Sequence, residues 1–176
     1  MQKLPLLGIL GGLILIAVVF VLLFSNKKDE VSISNSSNSN LSAEKSSIPQ
    51  DIKASFAIFT NGTFRVFTSV MYHNLSEDVY ISAENPHIVR VKKTSITWGD
   101  FFDSLPMELD AICLTTGTGQ TFCSGTSETL KFYINGKFDE EALGREIGEG
   151  DQLLVSFGDE TDSEIEEQLK QIPVVE

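Results

Sequence analysis

Three hydrophobic patterns follow one another along this chain. From Leu4 to Phe24 no residue is charged and most are Leu, Ile, Val or Phe. At a rise of about 1.5 Å per residue such a helix crosses a bilayer core of roughly 30 Å. From Ser32 to Ser47 the apolar signal gives way to Ser and Asn with a few charges, a composition that buries little and stays solvated. From about Ile52 to Gly158 apolar and polar residues alternate with the period of strands, broken once by a helical period.

Within that last stretch the turns are the most specific signals. Residues 55–68 read as a hairpin about Asn61-Gly62, because both residues accept the positive φ of a type I′ turn, and Phe59 then faces Phe64. His87 to Lys92 alternates as a strand, with Ile88 and Arg90 on one face and His87 and Val89 on the other. Thr97 precedes a stripe of Trp98, Phe101, Phe102 and Leu105 at helical spacing, so the reading is an N-capped helix lying on a sheet and stopped by Pro106. Residues 130–137 form a strand running into a second Asn-Gly turn, and residues 152–158 form a last strand. One main helix against a mixed sheet of this size makes the class α+β.

Two cysteines lie in the stretch between, Cys113 and Cys123. If Gly117, Thr118 and Gly119 make a three-residue loop, Thr116 faces Gln120 and counting outward sets Cys113 opposite Cys123. Alternation from a hydrogen-bonded Thr116–Gln120 pair makes the cysteine pair a non-hydrogen-bonded one, where side chains approach most closely. A disulfide fits there, and closing so short a loop contributes about 2.5–3 kcal/mol by chain entropy. The competing reading is a redox-active dithiol, but those pairs usually have the Cys-x-x-Cys spacing beside a helix N-terminus. A zinc site needs about four ligands, and the only histidines, His73 and His87, lack ligand spacing to either cysteine.

The domain plan is therefore a short segment 1–3, a transmembrane anchor 4–24, a Ser/Asn-rich tether 25–51, a folded domain 52–158 and an acidic tail 159–176. A cleavable signal peptide would have a shorter apolar core and a small-residue cleavage site, which Val21 to Asn26 does not offer. Charge leaves the orientation near a tie, Lys3 and the amino terminus against Lys27 and Lys28. Sequons at Asn35, Asn40, Asn61 and Asn74 and the paired cysteines favour the outside of the cell. The expected location is the cell membrane, single-pass, with the C-terminal domain extracytoplasmic. Gly8 and Gly12 form a Gly-x-x-x-Gly step through which two such helices can associate.

The tail holds seven carboxylates against Lys170, and Ser163 with Glu166 has capping-box spacing. Ile165, Leu169 and Ile172 make a thin apolar stripe, either packed lightly on the domain or free as a partner-docking helix. A net charge of -12 with no basic stripe excludes nucleic acid as a partner. The tail lacks the glycine and ligand spacing of a calcium loop, and Gly117 to Gly119 leads into no helix, so it is no phosphate loop.

Tyr133-Ile134-Asn135-Gly136, followed by Arg145 to Gly158 with its Gly-Asp turn before the last strand, is similar to the closing half of ubiquitin-like β-grasp domains. Thr97 to Phe102 likewise resembles the start of the β-grasp helix. Residues 97–105, the Cys113–Cys123 hairpin, residues 130–136 and Leu153 to Gly158 together resemble a poorly characterised family of membrane-anchored extracytoplasmic proteins of archaea and candidate-phylum bacteria. The resemblance covers about residues 55–158 and implies a β-grasp-like sheet behind a single membrane anchor. Some members are labelled protein-disulfide isomerases, though no thioredoxin-like motif stands in this sequence. The several histidines of the family's first half are reduced here to His73 and His87. Ubiquitin and the sulfur carriers end in a conjugated Gly-Gly, whereas this chain continues to Val175-Glu176, so conjugation is not implied.

No nucleophile here has a base at a spacing that fixes their geometry; His73 reads as a surface or hydrogen-bonded loop histidine, and neither it nor His87 takes a catalytic role. No cofactor is indicated and no catalytic residue is assigned. The expectation is a tethered module that binds a protein or other extracytoplasmic ligand. The alternative is a thiol-disulfide oxidoreductase or redox partner acting through Cys113 and Cys123.

Overall fold

The structure, a computed structural model, describes residues 51–175. The anchor, the tether and the sequons at Asn35 and Asn40 lie outside the described residues. Among the described residues no helix is long and apolar enough to cross a membrane.

The protein is mixed α+β. Its strands are β1 (Ile52–Thr60), β2 (Thr63–Phe64), β3 (Val79–Tyr80), β4 (Ile88–Val91), β5 (Glu108–Leu109), β6 (Cys113–Thr115), β7 (Thr121–Cys123), β8 (Thr129–Ile134), β9 (Lys137–Phe138) and β10 (Gln152–Gly158). Two helices, α1 (Trp98–Asp103) and α2 (Asp162–Leu169), complete the framework. The larger sheet has the order β3-β4-β1-β10-β8-β9, with β2 added to β1. The first and last long strands lie side by side and parallel, with Ser55 opposite Gln152 and Thr60 opposite Phe157, while the other pairs are antiparallel. Parallel neighbours need a long crossover, and the chain between β1 and β10 supplies it together with α1. A separate three-stranded sheet has the order β5-β6-β7.

Helix α1 begins where the sequence places it. Thr97 Oγ1 accepts the Asp100 N–H at 3.1 Å, and Asp100 Oδ2 accepts the Thr97 N–H at 2.8 Å, a complete capping box. The hydrogen bonds that Asp100 Oδ2 accepts, first from the Thr97 main-chain N–H and then from the Thr97 hydroxyl at 2.8 Å, hold the Asp100 carboxyl below its ordinary pKa. Trp98, Phe101, Phe102 and Leu105 are buried, with Phe101 and Phe102 edge-on to Phe56 of β1. Each such burial stabilises the fold by about 2–3 kcal/mol. Ala54, Phe56 and Ile58 of β1 share this face with Val89 and Val91 of β4 and with Leu153, Val155 and Phe157 of β10. Strands β1 and β10 are apolar on both faces because the opposite face is covered too: Ala57, Phe59 and Leu154 pack against Ile165 and Ile172.

Both Asn-Gly turns form, with φ of 49° and 71° at Asn61 and Gly62 and 52° and 78° at Asn135 and Gly136. Phe59 faces Phe64 as expected. The hairpin over 55–68 stops early, however, since β2 ends at Phe64. The edge of β1 is shared: β2 takes its end near Thr60, and β4 takes Ile52 to Ser55. A longer second arm would occupy the place where Ile88 to Val91 already pair.

The tail is helical, but its cap lies two residues earlier than Ser163. Thr161 and Glu164 form the capping box. Glu160 anchors this start by pairing with Lys131 at 3.2 Å and accepting the Gly62 N–H at 3.3 Å. That anchor brings Thr161, not Ser163, to the point where the chain turns back onto the sheet.

Candidate functional site

The cysteine hairpin is built from the turn outward. Thr116 N–H donates to Gln120 O at 2.8 Å and Gly119 has a φ of 84°, the left-handed residue that closes a three-residue loop. Cys113 stands opposite Cys123, and the two are joined by a disulfide with their Cα atoms 4.1 Å apart. Alternation sends Leu114 into the core and Phe122 partly inward, and leaves the disulfide on the outer face, with Cys123 exposed. Asp110 Oδ1 accepts the N–H groups of Ile112 at 2.8 Å and Cys113 at 2.7 Å. The charge fixed beside the pair is therefore negative, the wrong sign to stabilise a thiolate.

Inward of this hairpin lies a half-open apolar groove of about 220 Å³. Ile58 and Phe64 to Phe67 form one wall, Tyr72 and Met107 another, and Leu114 with the Thr116–Gly117–Thr118 turn closes it. Gly117 has to be glycine: a Cβ there would come within 2.7 Å of the Tyr72 hydroxyl and 2.8 Å of Pro106 O. The rim is apolar as well: Val66, 63% exposed, is part of the lining, and the exposed Met71 side chain reaches the Gly117 turn. Clustered exposed apolar side chains around a concavity mark ligand or protein contact surfaces.

Among the described residues the one charged lining residue is Arg65, held over the Phe122 ring at 5.1 Å. Its Nε donates to Thr60 Oγ1 at 2.5 Å, and Nη1 makes a longer contact of 3.5 Å with Gln120 Oε1. None of these groove residues stood out as a site in the sequence. The signal that could have found them is the apolar triplet Val70-Met71-Tyr72 inside an otherwise polar stretch.

The other residues singled out by sequence fall elsewhere. His73 Nε2 lies 2.8 Å from Phe67 O and so supports the loop behind the groove. His87 is buried among the rings of Phe56, Phe64 and Phe67, and burial pushes its pKa below the ordinary value. Ile165 and Ile172 are buried against the domain's own sheet and Leu169 is partly so. A partner using that stripe would first have to lift α2 away. Asn61 and Asn74 are exposed. Among the described residues no three His, Cys, Asp or Glu side chains gather as a ligand set.

No family model matches this chain, and neither the curated proteins nor the solved structures contain a match.

Proposed function

We propose that this chain is a membrane-tethered extracytoplasmic binding module whose β-grasp-like domain presents the apolar groove beside the disulfide hairpin. The strand order supports the β-grasp reading, with two parallel central strands from the two ends of the folded domain and one helix crossing between them. The uncharged run from Leu4 to Phe24 supports the anchor. A disulfide on the outer face suits an oxidising compartment. The observation that carries the binding reading is the groove itself: a concave apolar wall, an exposed apolar rim and no nucleophile–base pair along it.

Methyl NMR of the full chain in lipid nanodiscs, titrated with a set of small apolar compounds, tests this. Shifts clustered at Val66, Met71 and Leu114 are expected. Shifts scattered over the surface, or concentrated at α2, would remove the groove from consideration. Added protease should digest the domain on intact spheroplasts, and full protection would place it in the cytoplasm. A redox role for Cys113 and Cys123 is favoured by one feature, the exposure of Cys123, which gives an incoming thiol access to the bond.

A further inference from the structure

Among the described residues the arginines are used in two ways. Arg90 donates to both oxygens of Asp51 at 2.9 Å, and Arg145 pairs with Asp139 at 2.9 Å and Glu141 at 3.7 Å. Arg65 has no carboxylate among the described residues, although the protein as a whole carries 25 acidic side chains against 13 basic ones. It is half-buried, which makes the missing anion more costly than at an exposed position. Thr60, Gln120 and the Phe122 ring hold the guanidinium in place, while Nη2 has no protein partner among the described residues. Among the described residues no Asp or Glu lines the groove.

We infer that the groove takes the free C-terminus of an apolar polypeptide, with the last side chain in the cavity and the α-carboxylate on Arg65. This rests on the binding reading above and adds the chemistry of the occupant. A planar guanidinium with free donors matches a carboxylate in geometry and charge. The cavity, about 220 Å³, falls below the roughly 300–1,000 Å³ of drug-sized pockets and suits one large apolar side chain. Val66 and Met71 continue the apolar surface past its mouth, where the residues preceding the terminal one would lie. The acidic balance of the chain repels extended anions and leaves Arg65 as a local, single-charge contact.

The test uses the full chain in nanodiscs and fluorescein-labelled pentapeptides ending in leucine, as the free acid and as the carboxamide, read by anisotropy. The acid should bind at least about tenfold more tightly than the amide, the scale of one charge-assisted hydrogen-bonded pair. In R65Q the ratio of acid to amide affinity should fall to about one, whatever the amide's own affinity becomes, and R65K, which keeps the charge but loses the fork, should retain part of the difference. Equal binding of acid and amide to the native chain, or an undiminished difference in R65Q, overturns the inference. Displacement of the peptide by decanoate at lower concentration than by unlabelled peptide also overturns it and assigns the site to a fatty acid. If neither peptide binds, this inference falls, and the apolar compounds separate the causes: shifts at the groove that V66D abolishes leave the binding reading standing, while no shifts remove both.

Discussion

Replacing Cys113 and Cys123 by serine together asks how much the bond contributes and whether it is a staple or a reagent. The closed loop spans a sequence separation of 10, and the chain-entropy relation converts that length into about 2.7 kcal/mol at 25 °C. The native hairpin is otherwise held by main-chain bonds, among them Ser124 N–H to Ile112 O at 2.7 Å and Thr116 N–H to Gln120 O at 2.8 Å. These survive the substitution, so the loss should come mainly from the unfolded chain. Urea unfolding of the protein lacking residues 1–24 should show a midpoint lower by about 1–2 M, with a slope somewhat steeper because the unbridged chain unfolds to a more open ensemble. The same free energy appears in the redox equilibrium: the pair should be harder to reduce in the native protein than in the urea-unfolded chain by about 60 mV. Thiol trapping in graded dithiothreitol, with and without urea, measures that difference. A native potential equal to or above the unfolded one would mean that the fold does not favour the bond. With rapid exchange against glutathione, such a result would move the oxidoreductase reading ahead of the binding module.

Other outcomes rest on the packing and on the two titrating groups it perturbs. Trp98→Ala should cost about 3–5 kcal/mol, because the indole is fully buried between α1 and the sheet, and Thr97→Ala about 1 kcal/mol through the lost cap; both are read by urea unfolding. Ile165→Ala should cost about 2–3 kcal/mol and open α2 to protease while leaving the Trp98 core intact, and equal protection of the variant would show that the tail is held by something else. Burial lowers the pKa of His87 in the folded state, so on acidification the unfolded chain takes up this proton first. Stability from this group is whole above about pH 6.5 and falls below it, by at most about 1.4 kcal/mol per pH unit, until the folded pKa is passed. His87→Phe should flatten the difference between pH 7 and pH 5, and an unchanged slope would assign the acid sensitivity to other groups. Burial opposes the charge on Glu160, yet its main-chain hydrogen bonds and Lys131 hold its pKa down. Its contribution is therefore present above about pH 4.5 and lost as pH falls through its folded value, a separate and lower window that Glu160→Gln should remove.

The features legible along the chain each lie within a few neighbouring residues. The two Asn-Gly turns, the Thr97 start of α1, the stripe of Trp98, Phe101 and Phe102, and the opposition of Cys113 to Cys123 all follow from local geometry, since turn chemistry and side-chain period act over one or two turns of chain. Their pairing partners were a different matter. That β1 lies parallel to β10, that β4 cuts short the arm after Phe64, and that Glu160 moves the tail's cap to Thr161 depend on contacts across the whole domain. The two-residue strands β3 and β5 carry no period to read. The groove is the clearest case: Arg65, Tyr72, Met107 and Gly117 come from separated loops, and each looks ordinary in its own neighbourhood. Only the packing of the small sheet and the post-β2 loop against the core brings them to one wall, because a concave surface is a property of the tertiary fold and has no local sequence period.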